Sequence, residues 1–281
     1  MISRKEEVRK LLRLTPEEVI NHARNRLIVC KNLNALYECF ANDIASEIQE
    51  NNAQNRSTRL ILPVGPSGQY PILANIIKRK KLSLKNCWFF FMDEYCDEFG
   101  KSLSLDHPLS FKRILKESFL DKLEKNNDLG LKQVIFPDES NIEKISEKID
   151  EIGGIDTCYG GIGIHGHIAF NEPEPGVAKT DSRKVHLNDF TITINAIRAQ
   201  IGGNFENFPN EAYTLGMKQI LNSRRIRLYC RSDILDWAAT ILRIALFGEP
   251  GEDYPVTLIR NHKNYVIATD WNTLTSPKIL I

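Results

Sequence analysis

His165, His167 and Glu172 fall within eight residues of one another, directly after a run that holds Gly160, Gly161 and Gly163. Histidine is the side chain best matched to proton transfer near neutral pH, and a neighbouring carboxylate can orient it or balance its charge. Glycine lets the backbone adopt positive φ and approach a ligand closely, so Gly161 and Gly163 read as a strand opening into a ligand-facing loop. A second pair of acids, Asp93 and Glu94, follows the apolar run ending Phe89-Phe90-Phe91-Met92. At the edge of an apolar pocket the pKa of a carboxylate rises, as a general base requires. The third group is Gly65-Pro66-Ser67-Gly68, set between a strand-like run and a helical pattern. Backbone amides of such a loop, a helix N-terminus and the Ser67 hydroxyl form a natural anion site, from which Pro66 removes one donor. A tight turn at Gly65–Gly68 and a helix-capping or surface role for Asp93 and Glu94 are the plainer readings.

Apolar strand-like runs alternate with helical patterns along the chain. The strands read at Arg59–Pro63, Cys87–Met92, Thr157–Gly161, Ile226–Cys230 and Tyr265–Thr269, with a short one at Val134–Phe136. Helical patterns cover 33–50, 69–80, 107–123, 140–151, 210–221 and 232–247. This alternation predicts an α/β fold in three layers, a mainly parallel twisted sheet with helices on both faces. Ligands of such sheets bind beyond the carboxyl ends of the strands, where all three groups lie. Residues 1–26 read as a separable helical extension, with Thr15-Pro16-Glu17-Glu18 as a helix start. Residues 27–281 read as a single domain, since no repeat, low-complexity tract or linker divides them.

With 281 residues, 42% of them hydrophobic and 26% charged, the chain has the composition of a soluble globular protein. A net charge of +1 with scattered Lys and Arg gives no electrostatic case for nucleic acid or a membrane surface. The densest basic run, Lys78-Arg79-Lys80-Lys81, falls where a helix ends and reads as a solvated cap. No apolar run approaches the ~20 residues that span a bilayer. Six separated cysteines without a CxxC pair fit reduced thiols in a cytoplasmic protein. His165 and His167 do not make a convincing metal set, so no metal or other cofactor is expected.

The segment Gly160–Pro173 resembles the GGxGxDGHIAFNEP signature of the glucosamine-6-phosphate deaminase (isomerase) family, with His165 where the family places an aspartate. The related 6-phosphogluconolactonases share the Gly-His pair but lack the Ala-Phe-Asn-Glu-Pro continuation, so residues 168–173 favour the aminosugar branch. Asp93-Glu94-Tyr95, His107-Pro108-Leu109-Ser110-Phe111 and the Gly65–Gly68 loop also resemble family motifs, and the likeness runs from about residue 27 to 270. It implies a Rossmann-like fold and a cofactor-free homo-oligomer acting on a small phosphorylated sugar. By that likeness Asp93 moves a proton between C2 and C1 of the open-chain sugar. His167, supported by Glu172, assists ring opening, and Gly65–Gly68, Glu94, Gly161 and Gly163 line the substrate. Arg198 stands for the family's phosphate-gripping arginine. A family lysine expected among Arg231–Leu235 is missing, with Arg231 as its substitute. A second imidazole supplies no negative charge, so His165 bears on ring opening more than on the Asp93 step. The expected reaction converts a hexosamine 6-phosphate to a ketose phosphate and ammonia. An isomerase or lactonase-like hydrolase of a different sugar, phosphorylated or not, and a sugar-phosphate-binding module without turnover remain the other readings. Residues 1–26 are too short for a DNA-binding helix-turn-helix.

Overall fold

The computed structural model describes residues 3–123, 128–232 and 237–278. Two capped helices open the chain: α1 (Arg4–Leu12) and α2 (Pro16–Ala23), each started by a capping box, Ser3 with Glu6 and Thr15 with Glu18. There follow β1 (Leu27–Cys30), α3 (Leu33–Ala53), β2 (Thr58–Leu62), α4 (Gln69–Lys80), β3 (Cys87–Phe91) and β4 (Asp93–Tyr95). The middle of the chain holds α5 (Phe111–Ser118), β5 (Val134–Ile135), α6 (Ile145–Glu151), β6 (Thr157–Gly161), β7 (Arg183–His186) and α7 (Asp189–Arg198). It closes with β8 (Glu211–Thr214), α8 (Met217–Leu221), β9 (Arg225–Tyr229), α9 (Ala238–Phe247), β10 (Tyr265–Asp270) and α10 (Trp271–Leu274).

Seven strands form one parallel sheet in the order β1-β10-β9-β6-β2-β3-β5. Successive residues of each strand point to opposite faces, and both faces are apolar. Ile61, Phe90, Cys158, Ile226, Leu228 and Ile267 pack on one side with residues of α2, α6, α8 and α9. Leu60, Leu62, Phe89, Phe91, Tyr159 and Tyr229 pack on the other with α3, α4 and the end of α5. This double burial is why the strands read as continuous apolar runs. Phe89, Phe90 and Phe91 are each wholly buried, a contribution of roughly 1.5–3 kcal/mol apiece.

A second sheet lies outside the expected pattern: β4, β8 and β7 pair antiparallel, with Asp93 opposite Thr214 and Arg183 also opposite Thr214. Of the helix expected over 210–221, only Met217–Leu221 is helical, because Glu211–Thr214 takes the central place between β4 and β7. Helix α7 was not expected at all. The helix read at 232–247 begins at Ala238, with 233–236 outside the described residues. All six cysteines are free, and the run Lys78–Lys81 ends α4 with Lys81 in the left-handed region. Among the described residues no helix is long and apolar enough to cross a membrane.

Candidate active site

Strand order reverses between β2 and β6: the chain continues to β3 and β5 on one side and to β9, β10 and β1 on the other. Loops leaving the carboxyl ends of β2 and β6 therefore diverge and leave a crevice, the usual ligand position in open α/β sheets. A cleft lies there, lined by Gly65 and Pro66 after β2, Asp93 after β3, Gly161, Gly163 and His167 after β6, and Tyr229 and Arg231 at β9. Helix α7 adds Asn195 and Arg198, while Met92, Phe111, Phe170 and Trp237 supply apolar wall.

Asp93 and Glu94 are adjacent in sequence and differ completely in surroundings. Glu94 accepts hydrogen bonds from the amides of Tyr95, Phe111 and Lys112 and from the Ser110 hydroxyl, at 2.8–3.1 Å. It is an anion set at the N-terminus of α5, the favourable end of a helix dipole. It borders a neighbouring cavity with Ser102 and Lys112, not the cleft where the sequence had placed it. The Asp93 carboxylate faces the cleft and accepts no hydrogen bond among the described residues. Burial, followed by the nearby charge of Glu94, pushes its pKa from 3.8 to about 8.

His167 is held by the glycines around it. A Cβ on Gly163 would stand 1.9 Å from His167 Nε2, so the imidazole lies flat against backbone that only glycine provides. A Cβ on Gly161 would stand 2.7 Å from the Gly65 carbonyl, so this glycine lets the β2 loop cross the end of β6. The expected positive φ occurs instead at Gly166 and Ala169. Burial first, then the neighbouring His165 and Arg198, lowers the His167 pKa to about 3, which keeps the ring neutral.

His165 and Glu172 stand behind His167, outside the cleft lining. His165 Nδ1 lies 3.1 Å from His167 Nδ1, and His165 Nε2 lies 2.6 Å from Asn188 Nδ2. Glu172 does not touch His167. Its Oε2 accepts from the Asn188 amide at 2.8 Å, while Oε1, buried and without a hydrogen bond among the described residues, is 4.0 Å from His165 Nε2. Ligand atoms of His165, His167 and Glu172 lie within 4.8 Å of one another, close enough to share a cation, but the facing imidazole nitrogens already bond to each other. Asn171, in the same segment, ties the loop down through the Ile168 and Leu215 carbonyls.

The anion loop is only half as expected. Gly65 and Pro66 reach the cleft, whereas Ser67 and Gly68 do not line it. A Cβ at Gly68 would come within 2.5 Å of the Tyr37 ring, so this glycine serves packing. Helix α4 starts there without a side-chain cap. Arg198 and Arg231 both reach the cleft, and lie over the rings of Trp237 and Tyr37 respectively. The sequence reading missed Asn188, Asn195, Tyr229 and Trp237. Asn188 alone carried a local signal, an Asn three residues before Thr191 at the head of an apolar-periodic stretch.

No family model matches the chain. A glucosamine-6-phosphate deaminase of Thermoanaerobacter pseudethanolicus is 29% identical over 238 residues, 83% of this chain and 89% of that protein. Among solved structures, a monomeric glucosamine-6-phosphate deaminase described as a missing link of the NagB superfamily matches with a TM-score of 0.76. It is 26% identical, over 88% of this chain and 98% of its own. A 6-phosphogluconolactonase of Thermotoga maritima shares the fold at a TM-score of 0.64 and 16% identity, over 87% of this chain and 98% of its own. A glucosamine-6-phosphate deaminase of Caenorhabditis elegans is 32% identical over 207 residues, 72% of this chain and 74% of that protein. The chain therefore belongs to the glucosamine-6-phosphate deaminase family of enzymes.

Proposed function

We propose that the protein converts a hexosamine 6-phosphate to a ketose 6-phosphate and ammonia. The observation that carries this reading is Asp93: a buried carboxylate with no hydrogen bond among the described residues, its pKa near 8, in the wall of a cleft shared with a neutral histidine and two arginines. Such a carboxylate is a base strong enough to take a proton from a carbon next to a carbonyl. The cyclic sugar first opens, the ring oxygen receiving a proton while the C1 hydroxyl loses one. Asp93 then removes the C2 proton to give an enolamine and returns it at C1, leaving a C2 imine. Water adds to C2, and the C–N bond breaks to release ammonia and the ketose.

Arg198 and Arg231, with the Gly65–Pro66 backbone and the uncapped start of α4, hold the phosphate in this reading. Ammonia release from a panel of hexosamine 6-phosphates and their unphosphorylated forms tests the proposal. Turnover of a phosphorylated amino sugar, lost on the free sugar, supports it. Binding without ammonia release, or hydrolysis of a sugar lactone instead, overturns it.

A further inference from the structure

The hydrogen bonds behind His167 have only one consistent direction. The Thr191 amide donates to Asn188 Oδ1 at 3.0 Å, as the N-cap of α7, and only an acceptor can occupy that position. The other end of the Asn188 amide, facing His165 Nε2 at 2.6 Å, is therefore its NH2. A donor there requires a lone pair on His165 Nε2, because two N–H groups cannot face each other at that distance. Glu172 Oε1, at 4.0 Å, is too far to draw a proton to that nitrogen. The His165 proton must then sit on Nδ1, where it donates to His167 Nδ1 at 3.1 Å. The His167 proton is left on Nε2, the nitrogen over Gly163 in the cleft wall.

We propose that Asn188 is a positioning residue which, through His165, fixes the tautomer of His167 so that Nε2–H is presented to the substrate as a proton donor. Helix α7 thus controls a ring two residues removed from it in the chain of hydrogen bonds. The cap that starts the helix is the same side chain that orients the histidine pair. Glu172 holds the Asn188 backbone through its amide and so fixes where that cap stands. With the reaction above, on which this role rests, a donor at Nε2 gives its proton to the ring oxygen as the bond from that oxygen to C1 breaks, and the proton lost by the C1 hydroxyl returns to Nε2, so the imidazole ends the step neutral. Asparagine and histidine thereby replace a carboxylate as the group that sets the ring's tautomer. The pattern they impose is reversed: a carboxylate beside Nδ1 would draw the proton there and leave a lone pair at Nε2.

The substitution Asn188→Asp tests this without removing the cap, since aspartate caps as well as asparagine and still accepts from Thr191. It replaces the donor facing His165 by an acceptor. His165 then carries its proton on Nε2, His167 donates from Nδ1, and the cleft meets a lone pair. Nitrogen-15 imidazole shifts of the full-length protein at pH 7.5 (a set condition, about one unit above the ordinary histidine pKa) report the tautomer directly. The expected result is Nε2–H for His167 in the unaltered protein and Nδ1–H in Asn188→Asp. The ratio of turnover on the cyclic sugar to C2-proton exchange on an analogue that cannot close a ring should fall about 10²-fold, the weight of a lost general acid. Asn188→Ser, which caps but cannot reach His165, should give a mixture of tautomers. An Nδ1–H His167 in the unaltered protein, or an unchanged tautomer in a folded Asn188→Asp variant, overturns the proposal. The shifts are read whether or not the enzyme releases ammonia, so failure of the deaminase reading is told apart from failure of this one.

Discussion

Asp93 and His167 illustrate how burial prepares two opposite groups in one cleft. Removing water disfavours the charged form of each, raising the carboxylate to about 8 and lowering the imidazole to about 3. Turnover should therefore climb with pH through a limb centred near 8, as Asp93 ionises, and Asp93→Asn should remove that limb and cut turnover ~10²-fold or more. The same group has a stability consequence of opposite sense. The folded protein keeps the Asp93 proton up to about pH 8, whereas an unfolded chain releases it around the ordinary 3.8. Between those values the folded state binds more protons, so its stability falls as pH rises. Asp93→Asn should accordingly raise the melting temperature at pH 8 and do much less at pH 4; equal effects at both pH values would refute the burial argument. His165→Asp sets an anion beside His167, which should raise the His167 pKa from about 3, visible in the pH dependence of its ring carbon-bound proton resonance. The sequence exposed Asp93 and His167 as chemistry-bearing because each follows an apolar strand. It could not separate Asp93 from Glu94, whose four partners include the Ser110 hydroxyl and two amides 16 to 18 residues further on, a relation set by folding alone.

Helix α5 joins this site to its surroundings through one side chain. Glu94 satisfies the first amides of the helix and is also the charge that, after burial, lifts the Asp93 pKa. Glu94→Gln should thus do two things together: cost about 1–3 kcal/mol by leaving donors facing an amide NH2, and move the rising limb of the pH–rate profile to lower pH. A destabilised variant with an unmoved limb would separate the two roles. Elements of this kind divide by how local their causes are. Six of the seven strands of the large sheet were legible to within one residue, because burial on both faces writes an unbroken apolar run, whereas β1, a four-residue edge strand that is only partly buried, was not read. The small sheet was not, because β4, β7 and β8 are three or four residues long and carry Asp93, Glu94, Arg183, Lys184 and Glu211. Their conformation comes from pairing across 25 to 121 residues of sequence rather than from any pattern within them. Helix α7 was hidden for a related reason: Thr191, Thr193 and three isoleucines suit a strand equally, and its Asn188 cap decides the matter.

Across the whole molecule, the two N-terminal helices are bound to the C-terminal third. Val19 and Ala23 are buried in the same cluster as α8 and α9, and Arg4 makes paired contacts with Asp253. Arg243, wholly buried on α9, joins these parts through the carbonyls of Leu14, Ala239, Leu274 and Thr275. Burial lowers its pKa, and carbonyl dipoles stand in for a counter-ion. Arg243→Met, which keeps the volume but strands those acceptors, should cost about 3 kcal/mol in denaturant titration. A loss of less than about 0.5 kcal/mol, the range of ordinary surface changes, would show the carbonyls find other donors. Sheet order carries a further consequence, one of timing. The first strand pairs only with the last, Leu27 beside Ile267, so during synthesis β1 waits while about 240 residues are added. At ~5–20 residues per second that is roughly ten to fifty seconds with an apolar strand unpaired, and the sheet closes only once β10 has been made. The cleft draws on β2, β3, β6 and β9 alike, so a nascent chain that stops short of β9 cannot hold substrate, and the site comes into being in one step once that strand has joined the sheet.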